Sequence, residues 1–135
     1  MKNPQYVIDM VDYLYEEGDR DLIFFGQILG VVSYDENDNP FDKTPEKRMS
    51  DAIKLANYLI SSDDFCLGKT VKQQDETYQY RVYEEGFQKF CEDVTRAFSS
   101  NGIDDVDLNA GIWLKKLKIG QRRTAIPREI MEMFE

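Results

Sequence analysis

Apolar residues in the first half of the chain follow the 3.6-residue period of amphipathic helices. A first helix is predicted over residues 4–18, because it opens on a proline and closes on a glycine. A second helix is predicted over residues 22–32, and a third over residues 45–60, where Thr44 would cap its first turn. The polar segment 33–43 has no period, so it is expected to be a connection.

The apolar spacing then changes to a period of two over residues 65–83, which predicts a β-hairpin. Tyr78, Tyr80 and Val82 alternate with polar residues, and aromatic and β-branched side chains favour strands. A short polar run supplies the expected turn. Alternation places Tyr83 on the face opposite Tyr78 and Tyr80, so one set is expected in the core and the other at the surface.

A helical period returns after the hairpin. It predicts helices over residues 84–101 and 104–118, and a short final helix after Pro127. The expected fold is therefore α+β: mainly helical, with about six helices and one β-hairpin. Because a chain of 135 residues suits a single hydrophobic core, residues 1–135 are predicted to form one domain.

Charge is distributed unevenly over a chain whose formal net charge is -9. Residues 113–128 contain six basic and no acidic side chains, whereas the remainder is strongly acidic. Three lysines between residues 115 and 118 fall in the last turns of a predicted helix, where cations suit the helix dipole. Arg122 and Arg123 lie beyond that helix, and two interpretations stay open: ion pairs with the acidic body, or a small patch facing an anion or RNA.

Histidine is absent and the two cysteines are isolated. The composition therefore lacks the commonest general base, the usual nucleophile–base pairs, and zinc sites built on imidazole or four thiolates. We assign no catalytic residue, no metal and no cofactor. The N-terminal segment lacks the apolar run of a signal peptide, and no stretch is long enough to span a membrane. We expect a cytoplasmic protein without membrane association, in which the thiols stay free.

Paired carboxylates are the remaining catalytic candidates, since glycosidase-like or metal-assisted hydrolysis needs acids that converge in a cleft. They occur at Asp63 and Asp64 and across Asp104, Asp105 and Asp107. Adjacency in sequence does not establish convergence, and Asp104 or Asp105 is more simply a helix cap. A carboxylate-based enzyme is the third functional hypothesis.

Oxygen-bearing residues of the connection between the second and third helices have the spacing of a calcium-binding loop. Asp35, Asn37, Asn39 and Glu46 fall at positions 1, 3, 5 and 12, so the segment resembles an EF-hand loop. Pro40 departs from the pattern at position 6, where the sharp turn needs glycine at positive φ. We favour the alternative of an acidic turn, in which the glutamate sits in the first turn of a helix.

The predicted order of three helices followed by a hairpin resembles the winged-helix family over about residues 4–84. In that family the third helix enters the major groove of DNA and the hairpin forms the wing. The resemblance implies nucleic-acid binding by basic residues of these elements, and the two late arginines would extend that surface. The candidate residues are Lys47, Arg48, Lys54, Lys69, Lys72, Arg122 and Arg123. The acidic residues around the third helix oppose such binding.

Acidity, small size and the tyrosines favour a non-catalytic protein-interaction module whose partner is a basic protein. Carboxylates would steer the partner, and tyrosines would anchor it. The predicted partner-binding residues are Asp35, Glu36, Asp38, Asp42, Tyr78, Tyr80 and Tyr83. The most specific form is an acidic inhibitor of the immunity-protein or antitoxin type, a compositional analogy that rests on no family motif. A winged-helix nucleic-acid-binding protein is the alternative.

Overall fold

The computed structural model describes residues 4–102, 111–123 and 125–134, without the side chains of Lys72, Ser100 and Asn101. Within these ranges the protein is α+β. The helices are α1 Pro4–Arg20, α2 Phe25–Ser33, α3 Pro45–Ser61, α4 Phe87–Asn101 and α5 Arg128–Glu132. The strands are β1 Ile23–Phe24, β2 Phe65–Lys72, β3 Tyr78–Val82 and β4 Ile112–Lys116. No helix in the described ranges has both the length and the apolar character that a membrane span requires.

The four strands form one antiparallel sheet in the order β1-β4-β2-β3. In its centre, Leu114 of β4 is opposite Ile23 on one side and Leu67 on the other. These side chains face the helices and join the hydrophobic core. Strand β4, the last in the sequence, separates β1 from the β2–β3 hairpin, and a winged-helix arrangement is not confirmed by this topology.

The helix predicted over residues 104–118 is wrong where the structure describes it, because Ile112–Lys116 is a strand. Ile112, Trp113 and Leu114 are each at most 3% exposed. Ile112 and Leu114 belong to the hydrophobic core, and Trp113 contacts Tyr80. A short apolar run that is buried on both faces carries no period that distinguishes strand from helix. The lysines at its end therefore do not compensate a helix dipole. Residues 103–110, including the predicted caps Asp104 and Asp105, lie outside the described ranges.

The boundary between the first two helices also differs from the prediction. Helix α1 continues through Gly18 to Arg20, so this glycine does not end the helix. It permits the close approach of another element instead. A Cβ at Gly18 would lie 2.9 Å from the ring of Phe65. Strand β1 then precedes α2, and the backbone N–H of Phe24 donates to Oε1 of Gln27 at 2.8 Å.

Other local predictions are confirmed. The hairpin β2–β3 is present and pairs Thr70 with Tyr80. Oγ1 of Thr44 accepts the backbone N–H of Lys47 at 3.1 Å at the start of α3. Helix α4 ends where Gly102 adopts a φ of 82°, a conformation that favours glycine.

A buried ion pair fixes the connection before α3. Asp51 is fully buried, and the ammonium of Lys43 lies 3.0 Å from its Oδ2. The same ammonium donates to the backbone carbonyls of Val32 at 2.7 Å and of Met133 at 2.6 Å. Burial lowers the pKa of Lys43, although the carboxylate of Asp51 opposes this effect. One lysine thus joins the ends of α2 and of the C-terminal segment to α3.

Candidate protein-binding surface

The edge strand β3 carries the largest cluster of exposed apolar side chains on one element of the described structure. Tyr78, Tyr80 and Val82 are 64%, 65% and 58% exposed, and we call these three residues the β3 strip. They alternate along the strand, so their side chains share the face of the sheet that lies opposite the helices. Exposed aromatic side chains next to one another are typical of protein-interaction surfaces.

A rigid platform supports the middle of the β3 strip. The ring of Tyr80 meets the indole of Trp113 edge-on, with centroids 6.2 Å apart. The indole Nε1–H of Trp113 donates to Oγ1 of Thr70 at 3.2 Å. The indole ring of Trp113 also covers Gly68, where a Cβ would lie 2.0 Å from the nearest ring atom. Tyr80 is therefore backed by a side chain that is itself held in place.

Tyr83 lies on the other face of the sheet, as the alternation predicts. It is 5% exposed and packs edge-on against Phe90 of α4, with centroids 6.4 Å apart. Its hydroxyl donates to the carboxylate of Asp93. Tyr83 therefore belongs to the core, and its aromatic ring is not available at the surface formed by the β3 strip.

Acidic residues flank β3 at both ends. Asp75 and Glu76 lie in the turn before it, and the exposed Glu84 and Glu85 follow it. The hydroxyl and the backbone N–H of Thr77 bond to Asp75 and lower the pKa of its carboxyl. The carboxyl of Asp75 therefore stays ionised at neutral pH.

The acidic segment predicted to steer a partner is on a different part of the molecule. Oδ1 of Asp35 accepts the backbone N–H groups of Asn37 at 2.8 Å and Asn39 at 2.9 Å, so this carboxylate shapes its own turn. The turn packs on α1, where the hydroxyl of Tyr6 donates to the carbonyl of Tyr34 at 2.9 Å. Burial and the nearby carboxylates of the turn raise the pKa of Tyr6.

Glu36, Asp38 and Asp42 of that segment are exposed, which suits long-range attraction. The calcium-loop interpretation gains no support from the geometry, because Asp35 is occupied by backbone donors and Pro40 bridges to Tyr34. Among the described residues, no group of three or more His, Cys, Asp or Glu side chains is placed to hold a metal ion.

The predicted nucleic-acid-binding residues do not form one basic surface. Three of them belong to α3. Lys47 lies 3.0 Å from Oδ1 of Asp51, and Nε of Arg48 donates to Oγ of Ser33 at 2.8 Å. Lys54, also on α3, is exposed, whereas the side chain of Lys72 lies outside the description. The cations of the third helix are thus divided between solvent and buried polar partners.

The remaining cations of that set are ion-paired. Lys69 lies 2.7 Å from Glu85 and lowers the pKa of that carboxyl. Arg122 lies 3.4 Å from Asp19 of α1. Arg123 lies 2.9 Å from Asp12 of the same helix. The ion pairs expected between the two arginines and the acidic body are therefore present.

Of the carboxylates considered for catalysis, Asp63 and Asp64 lie in the described ranges, where they do not converge, whereas Asp104, Asp105 and Asp107 lie outside those ranges. Asp64 is buried, whereas its neighbour Asp63 is exposed. A cleft of about 330 Å³ does hold two acids, Asp12 and Glu16, together with Arg122 and Arg123. Because Asp12 is paired with Arg123, this cleft does not offer the two free carboxyl groups that acid–base hydrolysis needs.

A buried hydrogen bond connects α1 to the start of β2. The hydroxyl of Tyr15 donates to Oδ2 of Asp64 at 2.5 Å, and the hydroxyl of Ser62 donates to the same oxygen at 3.1 Å. Burial and the bond to Asp64 raise the pKa of Tyr15 above its ordinary value of 10.0.

Tyr15→Phe is expected to lower the free energy of unfolding by about 1 to 3 kcal/mol at pH 8, because buried Asp64 loses a donor. The folded state keeps the Tyr15 proton at pH values where the unfolded chain releases it. Its contribution to stability is therefore complete below pH 10 and falls as pH rises further. The difference between wild type and Tyr15→Phe should shrink by about 1.4 kcal/mol at pH 11. Urea unfolding at both pH values measures this, and an unchanged or larger difference would contradict it.

Sequence reasoning missed two residues that shape the surface. The alternation predicts Val82 on the strand, but it gives no reason to include this residue in the binding set that it completes. The local spacing predicts Trp113 on a helix and therefore does not indicate its position beneath Tyr80. Its pairing with Gly68 across two strands depends on a register that no local pattern encodes.

Comparisons with protein-family models, with curated proteins and with solved structures found no match for this chain. The functional conclusion therefore depends on the surface itself.

Proposed function

We propose that this protein is a non-catalytic interaction module that binds a basic protein. The observation that carries the proposal is the β3 strip, in which Tyr78, Tyr80 and Val82 are each more than half exposed on one edge strand. Acidic residues lie at both ends of the same strand. A partner that combines apolar side chains with positive charge would complement both features.

The β3 strip and the negative charge contribute to binding in different ways. Tyrosine offers a large contact area and a polar tip at low conformational cost, which makes it a frequent anchor of interfaces. Contact with Trp113 restricts Tyr80 before binding, so less side-chain entropy is lost on association. The net charge of -9 acts at longer range, because it raises the association rate of a basic partner and repels acidic ones.

The specific form that we propose is an inhibitor of the immunity-protein or antitoxin type. Proteins that act on nucleic acids carry basic surfaces, since phosphate contacts dominate their affinity. A small acidic module that occupies such a surface would block access of the nucleic acid. Acidity, small size and the aromatic strip support this form.

A winged-helix nucleic-acid-binding function has less support. Its basic residues are spread over several elements, and Lys69, Arg122 and Arg123 are ion-paired with carboxylates. Binding to DNA would have to break these pairs and overcome the acidity of the chain, at a cost in affinity. Absence of any mobility shift with duplex DNA at low salt is the expected result.

Affinity capture from a lysate of the source organism tests the proposal. The wild-type chain is expected to retain a protein of net positive charge at about 50 mM salt and to release much of it at about 500 mM, because screening weakens the attraction. Tyr78→Ser with Tyr80→Ser keeps the net charge unchanged. It should reduce retention of that protein at least about tenfold.

Tyr13→Ser is the matched control, because Tyr13 is an exposed tyrosine of α1 at 39% exposure. This variant should retain the same protein as wild type. Retention that is indifferent to salt, or equal for the double variant and wild type, would contradict the proposal. So would a captured partner with net negative charge.

A further inference from the structure

The free edge of the sheet is a backbone surface as well as a side-chain surface. The N–H of Tyr83 donates to the carbonyl of Leu67 at 2.9 Å, and the N–H of Gln73 donates to the carbonyl of Thr77 at 2.8 Å. The odd-numbered residues along β3 therefore direct their backbone groups toward β2. Because antiparallel ladders alternate, residues 78, 80 and 82 direct theirs away from the sheet.

The outward backbone groups belong to the same three residues that form the β3 strip. Strand β3 is at the edge of the sheet, and no strand of the described ranges pairs with its outer side. Native edge strands are commonly protected by a proline, a bulge or a charge that discourages pairing. The sequence YQYRV of β3 contains no proline, and its one charged residue, Arg81, shares the opposite face with Tyr83. Within the part of the chain that the structure describes, this edge is thus open to a further strand.

Charge decides which strand fits. If two copies paired through β3 about a two-fold axis with full overlap, Tyr80 would face its own copy. The acidic residues beyond the ends of one strand would then approach those of the other, and each chain carries a net charge of -9. Like charges opposite one another destabilise strand pairing, so the flanks disfavour a second copy. The same flanks favour a strand that carries lysine or arginine.

We propose that β3 accepts a basic extended segment of the partner protein as a fifth strand of the sheet. Main-chain hydrogen bonds to residues 78, 80 and 82 would supply much of the affinity, as in other cases of strand addition. The β3 strip would contact the apolar side chains of that segment, and the exposed carboxylate of Glu84 and the net negative charge of the chain would attract its cations. This inference rests on the proposed function and specifies the chemistry of the docking element.

Two synthetic probes test the inference on the full chain. The basic probe is a nine-residue peptide in which lysine alternates with valine and tyrosine (KVKYKVKYK). The acidic probe has glutamate in place of each lysine. The basic peptide is expected to bind and to slow hydrogen exchange of the amides at residues 78, 80 and 82 at least about tenfold. The acidic peptide is expected to leave these amides unchanged.

Val82→Pro compared with Val82→Ala separates the backbone from the side chain. Both variants remove the valine, and only proline removes the outward N–H. Edge strands tolerate proline where the N–H faces solvent, so circular dichroism should show both variants folded. Val82→Pro should bind the basic peptide about tenfold more weakly than Val82→Ala. If Val82→Pro fails to fold, the amide protection measured on wild type decides the question.

Three results with the basic peptide or the free chain would overturn strand addition. One is equal affinity of Val82→Pro and Val82→Ala for the basic peptide. Another is binding without protection of the three amides. The third is a dimer of the free wild-type chain in sedimentation that Val82→Pro abolishes, because the edge would then belong to a second copy. A captured basic protein that binds both variants equally would overturn strand addition alone and leave the proposed function standing.

Discussion

Lys43→Met is expected to lower the free energy of unfolding by about 3 to 5 kcal/mol. The substitution leaves Asp51 fully buried with one remaining ion-pair partner, Lys47, whose side chain is 52% exposed. It also removes the donor to the carbonyls of Val32 and Met133. Breaking one side of a buried pair is costly because the other charge stays desolvated. Urea unfolding at pH 7, followed by circular dichroism, measures the loss.

Two further variants identify the cause of that loss. Lys47→Met removes the half-exposed partner of the same carboxylate and should cost at most about 1 kcal/mol. Lys43→Met combined with Asp51→Leu removes both buried charges and should be more stable than Lys43→Met alone. If Lys43→Met is within about 1 kcal/mol of wild type, or if the double variant is as unstable as the single one, the ion pair does not have the role described.

Gly68→Ala is expected to cost about 3 kcal/mol, the upper part of the range for overpacking. An added Cβ would lie 2.0 to 2.4 Å from three atoms of the Trp113 ring. The ring cannot easily move away, because its Nε1 is bonded to Thr70 and its edge contacts Tyr80. The substitution should therefore also disturb the platform under the β3 strip. Both the stability of the protein and its affinity for the basic partner should fall.

Gly30→Ala is the matched control for this change. Gly30 lies within α2, and a Cβ there would meet no atom within 4 Å. Alanine in a helix is favoured over glycine by about 0.5 to 1 kcal/mol, so this variant should be as stable as wild type or slightly more so. A Gly68→Ala protein with wild-type stability would show that the sheet adjusts to the added methyl group.

The parts of the fold that local patterns determine were predictable. Helix α3 begins at the Thr44 cap, and the hairpin follows the alternation that separates Tyr80 from Tyr83. Each of these features depends on residues within a few positions of one another. The period of the apolar residues and the chemistry of caps therefore suffice to find them.

The parts that depend on distant contacts were not predictable. Strand β4 is recognised as a strand only once β1 and β2 are known to flank it, and the spacing of Trp113 and Leu117 by itself suggests a helix. Lys43 looked like one more polar residue of a connection. Its structural role depends on a hydrogen bond to the carbonyl of Met133, which lies 90 positions later in the chain.

Part of the candidate surface was anticipated. Tyr78 and Tyr80 were assigned to partner binding, and both are exposed, whereas the equally assigned Tyr83 is buried by α4. The alternation predicts that Tyr83 faces away from Tyr78 and Tyr80. It could not establish which face the helices cover, because that depends on how the helices pack on the sheet.

Footprinting of the wild-type chain with its captured basic partner tests the central claim most directly. Oxidative labelling of tyrosine side chains reports their exposure with and without the partner, and Tyr13 provides the internal reference. The account predicts that labelling of Tyr78 and Tyr80 falls at least about fivefold in the complex, because anchors of an interface become desolvated. Labelling of Tyr13 should stay unchanged. Equal labelling of Tyr78 and Tyr80 in the free and bound protein would contradict the assignment of β3 as the binding surface.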